Sequence, residues 1–384
     1  VKTAYLAASP DGDIPLGPAD LDVPFRISLT QTHPRRTLGD YLDALRDMLL
    51  VDGCAPLRQV LEARLGAPVS QDEIQGVRIC TEKHGAFYHI ASIEAETTAG
   101  RVKTAASTAV SARARAQLAR EAGILRELRG SPASPFLPEP LLLKEVPWGG
   151  DPGEEPLLVL LTEWFEDFHE WHLSPSSGGK GGVARIWDRQ RGTRDASPEE
   201  TAGLFREIAR ILTLAFDPAG FRQVLLWRHA AGDFVVKTAG DRPLQARLTT
   251  VRDYGPLPGL SPEDGIHPAV AWINFFLDTA LRMRLDRVEG VGGRLWAGEF
   301  SVRACLGGFF EAVAEAESAG RSLPCGRVEL EGLLKSFSRK ELQTLHRPVL
   351  DRLGEESPEE AHFAAKRLDD HVRQLHRIIR EFRG

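Results

Sequence analysis

Residues 77–93 read VRICTEKHGAFYHIASI, residues 94–110 read EAETTAGRVKTAASTAV, and residues 111–128 read SARARAQLAREAGILREL. Val77–Cys80 and Phe87–Ile93 are rich in β-branched and aromatic residues and flank a turn over Thr81–Gly85, a pattern that predicts a hairpin. Thr98–Gly100 turns into a third strand, Arg101–Ala106. From Ser111 to Leu128 the apolar period changes from that of a strand to that of a helix. Leu118, Leu125 and Leu128 make an apolar stripe on that helix. Glu121 falls inside the stripe and Glu127 points away from it.

Working outward, Pro132, Pro135 and Pro138 break the chain before a strand at Leu141–Val146. A loop over Pro147–Pro156 leads to Leu157–Trp164, the strongest buried-strand signal in the sequence. Upstream, residues 1–36 hold Pro10, Pro15, Pro18, Pro24 and Pro34 and read as an extended arm laid over something else. Leu42, Leu45, Leu49 and Leu50 mark a helix beginning near Leu38. A second helix follows Pro56 through Leu57, Val60, Leu61 and Leu65 and ends at Gly66. Beyond Trp164 the segment 173–198 is rich in Ser, Gly and Arg, with a strand signal at Val183–Trp187. Ser197-Pro198-Glu199-Glu200 starts a helix carrying Leu204, Ile208, Ile211 and Leu212. Phe234–Val236 and Leu244–Val251 read as strands separated by Gly240-Asp241. Helical periodicity then covers 268–288, 299–318, 327–343 and 358–382. The expected fold class is α+β: a helical N-terminal extension (1–70), a sheet-rich lobe around one helix (71–165) and a larger, mainly helical lobe (166–384). A doubly wound sheet would alternate strand and helix more regularly.

The 384 residues are 42% hydrophobic and 27% charged, a composition that supports a folded core. With 48 basic and 54 acidic side chains the formal charge is −6, which gives no long-range attraction for nucleic acid or an anionic membrane. Arg373, Arg377, Arg380 and Arg383 are diluted by Asp369, Asp370 and Glu381 and read as a solvated helix face. The longest apolar runs, such as Leu157–Leu161, are too short to cross a bilayer. Cys54, Cys80, Cys305 and Cys325 are widely spaced with no CxxC, as for reduced structural thiols. The opening residues show no signal-peptide pattern. The expectation is a cytoplasmic protein with no nucleic-acid and no membrane partner.

The order hairpin, third strand, helix, two strands and linker resembles the small lobe of the protein-kinase-like superfamily, and the aminoglycoside and choline phosphotransferase branch in particular. The resemblance covers about residues 77–320. It implies a two-lobed fold, ATP and Mg²⁺ as cofactors, and phosphoryl transfer to a hydroxyl group of a small-molecule acceptor. It also implies that Lys103, on the third strand, grips nucleotide phosphates while Glu121, on the following helix, holds the lysine. The residues give their own reason for such a pair, because an ionised carboxylate inside an apolar stripe is costly unless it is paired. The other reading has Glu121 at the edge of the stripe reaching water and Lys103 exposed. Gly85, in the hairpin turn, stands where the family has a glycine-rich loop over the phosphates.

His229-Ala-Ala-Gly-Asp233 resembles the catalytic loop of small-molecule kinases, which implies that Asp233 orients or deprotonates the acceptor hydroxyl. Gly232 lets the backbone turn before it, and His229 would steady the loop by hydrogen bonding. Arg252-Asp253-Tyr254-Gly255 resembles the Asp-Phe-Gly motif, so that Asp253 would bind Mg²⁺. The alternatives are turn residues for both aspartates and a satisfied buried histidine for His229. Two departures stand out. Lys237 and Thr238 occupy the place of the catalytic-loop asparagine; Thr238 offers a hydroxyl to a metal, and Lys237 would compete with it. The glycine-rich loop is reduced to Gly85. They favour a second reading, a kinase-fold binding or assembly module without catalysis; residues 1–70 either pack beside the small lobe or build a surface for a protein partner. A third reading is an unrelated α+β protein.

His169 and His172 lie three residues apart but lack a third ligand at a metal-site distance. Trp272, Phe275, Phe276 and Leu281 read as large-lobe core. Neither a Walker A sequence nor a Gly-x-Ser-x-Gly elbow is present, and no dinucleotide fingerprint follows a strand.

Overall fold

The computed structural model describes residues 1–9, 12–27, 31–85, 87–148, 155–175, 182–188, 191–227, 229–239, 242–290, 292–321 and 323–383. They form two units, Val1–Arg126 with Pro138–Glu166, and Glu127–Leu137 with Asp167–Gly384. The architecture is mixed α+β, with a sheet-rich N-terminal region and a larger helical C-terminal region.

In the first unit, β1 (Lys2–Ala7), β2 (Ile14–Pro15), α1 (Pro18–Leu21) and the paired β3 (Pro24–Arg26) and β4 (Thr32–Thr37) precede α2 (Leu38–Leu65). Thr37 starts α2 by a reciprocal cap: its amide donates to Asp40 Oδ2 at 2.8 Å and its hydroxyl accepts from the Asp40 amide at 3.2 Å. The helix is broken over Val51–Cys54, where Asp52, Gly53 and Cys54 turn to φ values of 53°, 64° and 63°. Gly66, at φ 69°, closes it in the left-handed conformation that glycine adopts without strain.

Then follow β5 (Ile74–His84), β6 (His89–Thr97), β7 (Gly100–Ala109), α3 (Ala112–Glu127), β8 (Pro140–Val146) and β9 (Leu157–Glu163). The sheet order is β2-β1-β5-β6-β7-β9-β8, antiparallel except where β1 runs parallel to β5. The N-terminal segment, expected as an arm laid over something else, joins the sheet itself. Its first strand lengthens the sheet, and Tyr5 donates a 2.5 Å hydrogen bond to Asp43 on α2. Residues 1–70 share one unit with the sheet because Tyr41, Leu45, Leu49, Leu57 and Leu61 of α2 pack with Val77, Ile79, Ile93, Val102 and Val159. On α3, Leu118, Glu121 and Leu125 are buried and Glu127 is exposed, as the helical arithmetic expects.

In the second unit, β10 (Glu170–Ser174), β11 (Val183–Asp188) and β12 (Gly192–Asp195) form an antiparallel sheet. α4 (Pro198–Leu214) starts at the predicted Ser197/Glu200 capping box. β13 (Gln223–Leu225), the single turn α5 (Ala230–Asp233), the hairpin β14 (Phe234–Ala239) and β15 (Arg242–Leu248), and β16 (Asp253–Gly255) follow. Gly240 and Asp241, the predicted turn of that hairpin, lie outside the described residues. α6 (Pro268–Arg282) leads to the paired β17 (Leu285–Arg287) and β18 (Arg294–Trp296), then to α7 (Glu299–Ser318). The remainder is α8 (Arg327–Ser336), α9 (Arg339–Leu345), α10 (Arg347–Glu356), α11 (Pro358–Ala365) and α12 (Leu368–Glu381). The predicted helix at 327–343 divides because Ser338 caps a new helix with Glu341. Trp272, Phe275 and Phe276 are core residues, as expected, around Phe309. All four cysteines are unpaired and buried. Among the described residues no helix is long and apolar enough to cross a membrane.

α4 and α7 approach until their backbones touch. A Cβ on Gly308 would lie 2.0 Å from the carbonyl oxygen of Arg206 and 2.9 Å from the amide nitrogen of Arg210. One on Gly307 would meet only the Arg206 side chain, at 3.5 Å. Farther along, His346 and His371 are fully buried with their Nε2 atoms 3.2 Å apart, and His346 Nδ1 bonds the Leu342 carbonyl at 2.7 Å. Burial depresses the pKa of both rings, His371 strongly, with His346 and Arg284 adding to the effect on His371.

Two outcomes follow from these contacts. Gly308→Ala is expected to destabilise by about 1–3 kcal/mol through overpacking, whereas Gly307→Ala should be neutral or stabilising by up to about 1 kcal/mol from helix propensity. Urea denaturation distinguishes them. The buried histidines stay neutral when folded and take up protons on unfolding below about pH 6.5, so stability is lost as pH falls through that value. His371→Phe should flatten the slope between pH 6.5 and 5 by up to about 1.4 kcal/mol per pH unit, read as the difference between the two proteins' pH–stability curves.

Candidate functional site

The face of the first sheet that carries Lys103 differs from the face that packs on α2. Period-two alternation sends Val102, Thr104 and Ala106 of β7 one way and Lys103 and Ala105 the other. Opposite Lys103 stands Glu94 of β6, and opposite Glu94 stands Arg78 of β5. In the next row Cys80, Ser92, Ala105 and Thr162 align across four strands. An irregularity between Thr81 and Lys83 frees Glu82 from the ladder, and its carboxylate accepts the Ser92 hydroxyl at 2.7 Å. Lys103 Nζ lies 3.8 Å from that carboxylate and 4.1 Å from the ring centroid of Trp164. A half-buried ammonium is thus aimed by a carboxylate and an aromatic face.

The lysine pairs with Glu82, while Glu121 is 4% exposed on α3. Gly85 closes the β5–β6 hairpin, and its amide donates to the Tyr88 carbonyl at 2.8 Å, so that donor is already used. Glu82 has no counterpart in the pattern reading, because a strand irregularity leaves no mark in hydropathy.

The second cluster belongs to the second unit. β13 pairs antiparallel with β16, placing Leu225 opposite Asp253. Asp233 ends α5 immediately before β14, is 3% exposed, and its carbonyl accepts both the amide and the hydroxyl of Thr249 at 2.9 Å. Its carboxylate Oδ1 lies 2.7 Å from Nη2 of Arg252. Arg252 also donates through Nη1 to the Leu226 carbonyl at 3.3 Å. Asp253 Oδ1 accepts the Tyr254 amide at 2.7 Å. His229 Nε2 lies 3.0 Å from Oε1 of Glu360, a buried residue of α11 that also lies 3.8 Å from Arg287. Lys237 is drawn to Asp167 at 3.0 Å.

Magnesium requires several oxygen ligands in near-octahedral array. Among the described residues no group of three or more His, Cys, Asp or Glu side chains is placed to hold a metal. One oxygen of Asp233 is taken by a guanidinium and one of Asp253 by a backbone amide. Thr238 follows Asp233 along β14; four strand steps after Phe234 put it about 13 Å farther on, beyond sharing an ion with Asp233. Thr238 is therefore not placed to complete a Mg²⁺ site together with Asp233. Nor do His169 and His172 form a metal pair, since they turn to Asp188 at 3.5 Å and Asp286 at 3.2 Å.

No family model matches the chain, and no curated protein is significantly similar to it in sequence.

Removing Arg252 strands a buried carboxylate, so Arg252→Ala should cost about 3 kcal/mol. Asp233→Asn combined with Arg252→Ala should cost less than the sum of the single changes. A double-mutant cycle by denaturant titration gives the coupling, and additivity would mean that the pair contributes nothing.

Proposed function

We propose that this chain is a nucleotide-binding module of protein-kinase-like build, which holds the phosphates of ATP against Lys103 without transferring them. The observation that carries this reading is the setting of Lys103: a strand lysine held by Glu82 and lying over Trp164 on the sheet face opposite α2. Three features support the kinase-like build. A three-stranded meander is followed by a helix and two strands, with β9 inserted between β7 and β8 in the sheet. A long helix, a short strand, a tight loop and a hairpin then lead to Asp253-Tyr254-Gly255. Finally, the strand before the loop pairs with the strand carrying Asp253. An ammonium at that position supplies a point charge to phosphate oxygens. Within the second unit, the reading without transfer is supported by Asp233, whose carboxylate is buried against Arg252.

A second reading, an ATP- and Mg²⁺-dependent phosphotransferase acting on a small-molecule hydroxyl, is favoured by the β13–β16 pairing, which brings the Asp253 strand beside the strand that enters the loop. Calorimetric titration with ATP decides between them. Wild type should bind, and Lys103→Ala should bind at least about tenfold more weakly, with no ATP consumed when hydroxylated acceptors are added. Equal binding by Lys103→Ala removes the support for a nucleotide site at this lysine. Turnover that is lost in Asp253→Ala would establish the phosphotransferase instead.

A further inference from the structure

We propose that His346 and His371 form an acid-sensitive latch, which holds the C-terminal helices α9–α12 to the rest of the second unit and opens when either ring takes up a proton. The latch is independent of the nucleotide reading. It places the first acid-induced opening in these helices and not in the unit as a whole.

His346 joins α9 to α10 and His371 lies in the first turn of α12, both fully buried. His346 Nδ1 lies 2.7 Å from the Leu342 carbonyl, which only accepts, so that nitrogen carries the proton and Nε2 is bare. The 3.2 Å contact between the two Nε2 atoms then makes His371 Nε2 the donor. His371 Nδ1 is left bare as well, buried and with no hydrogen-bond partner among the described residues. Both places where the pair can gain a proton are thereby fixed. A proton on His346 Nε2 sets two N–H groups against each other. One on His371 Nδ1 creates a buried donor that nothing accepts.

The surroundings are already cationic. Facing His371 are Arg284, between α6 and β17, and Trp296 of β18, whose ring centroid lies 6.3 Å from the imidazole. Arg284 is 1% exposed and donates to the Ala297 carbonyl at 2.8 and 3.0 Å and to Gln374 Oε1 at 2.8 Å. Its guanidinium lies 4.8 Å from the Trp296 centroid. All of these partners are neutral. Asp278 of α6 acts on His346 and Glu299 of α7 on Arg284, each through space. On the helix of His371 itself, Asp370 is engaged by Arg373 and Gln374, and Asp369 by Gln343. A protonated imidazole therefore adds charge beside a guanidinium that has no carboxylate partner. The closed form takes no proton and the open form takes one or two, so closure weakens as pH falls below about 6.5.

Other ties of these helices do not use the histidines. The end of α12 is held to α7 by Arg377 on Glu299 and by Phe382 on Phe310, with ring centroids 5.0 Å apart. Lys335 of α8 reaches the Phe382 carbonyl at 2.8 Å. α4 and α7, which touch at Gly308, contain no histidine. Protonation thus loosens α9–α11 and the start of α12 while the α4–α7 pair stays closed. α11 lies between the two histidines in the chain and carries Glu360, so the closed latch also keeps Glu360 at His229.

The experiment is hydrogen exchange read by mass spectrometry at about pH 7.5 and about pH 5, each rate divided by its intrinsic value to give a protection factor. In wild type, peptides covering residues 339–346 and 368–375 should lose protection at least about tenfold on acidification, since each proton taken up on opening gives up to about tenfold per pH unit. Peptides from α4 and α7 should change by less than about threefold. His346→Gln combined with His371→Phe, which leaves His362 and His376 in place, should abolish the acid-induced loss. Equal loss in α4 and α7 makes the opening global and overturns the latch. Undiminished protection in wild type overturns it too, as does a loss retained by the folded double variant. If that variant folds poorly, nitrogen-15 spectra of histidine-labelled wild type decide. At the higher pH His346 should carry its proton on Nδ1 and His371 on Nε2, and both rings should stay neutral at the lower pH in the closed form. The opposite tautomers, or a protonated His371 while α12 remains protected, overturn the latch.

Discussion

A β-sheet has two faces, and covering one with a helix obliges the other to carry whatever the fold does not bury in its core. In the first unit α2 takes one face with Tyr41, Leu42, Leu45, Leu49, Leu57 and Leu61. The strands answer with Val77, Ile79, Ala91, Ile93, Val102 and Ala106 on that side. Because side chains alternate, the same strands present Arg78, Ser92, Glu94 and Lys103 on the other. The polar row is thus a geometric consequence of packing α2, and Lys103 inherits its position from the register that places it opposite Glu94.

The second recurring constraint is neutralisation of buried carboxylates from within the chain. Asp233 is met by Arg252, and Asp278 by Arg282, which also reaches Glu356 at 2.7 Å while itself only 4% exposed. Glu82 is met by Lys103 and Ser92. In each case a side chain of the chain itself supplies the opposite charge. Such pairs fix geometry more surely than they add stability, since desolvation offsets much of the attraction.

Much of the fold was legible. The change of period at Ser111 gave α3, and helical arithmetic placed Glu121 inside and Glu127 outside. Local caps at Ser197 and Gly66 fixed helix ends because capping is a matter of a few neighbouring residues. The first strand escaped because Lys2–Ala7 is short, lies among prolines and gains its partner more than sixty residues away. Of the candidate site, the strand position of Lys103 was readable from pattern, whereas Asp253, expected after a strand, opens β16, and Asp233, expected in a loop, ends the single turn α5. Glu82, Trp164 and Arg252 act through contacts that no local pattern records, and His229 meets Glu360 from a helix 131 residues later.

The sequence by itself determined many of the helices and sheet strands, which of their faces are apolar, and where charges sit along them. These depend on periodicity and on capping residues within a few positions, and both are written locally. Only the tertiary structure decided which charge meets which. The β5 irregularity brings Glu82 to Lys103, and the β13–β16 pairing brings Arg252 to Leu226 and Asp233. Ion pairs act over a few ångströms between residues distant in the chain, so their partners are set by strand register and helix packing, quantities that exist only once the chain has folded.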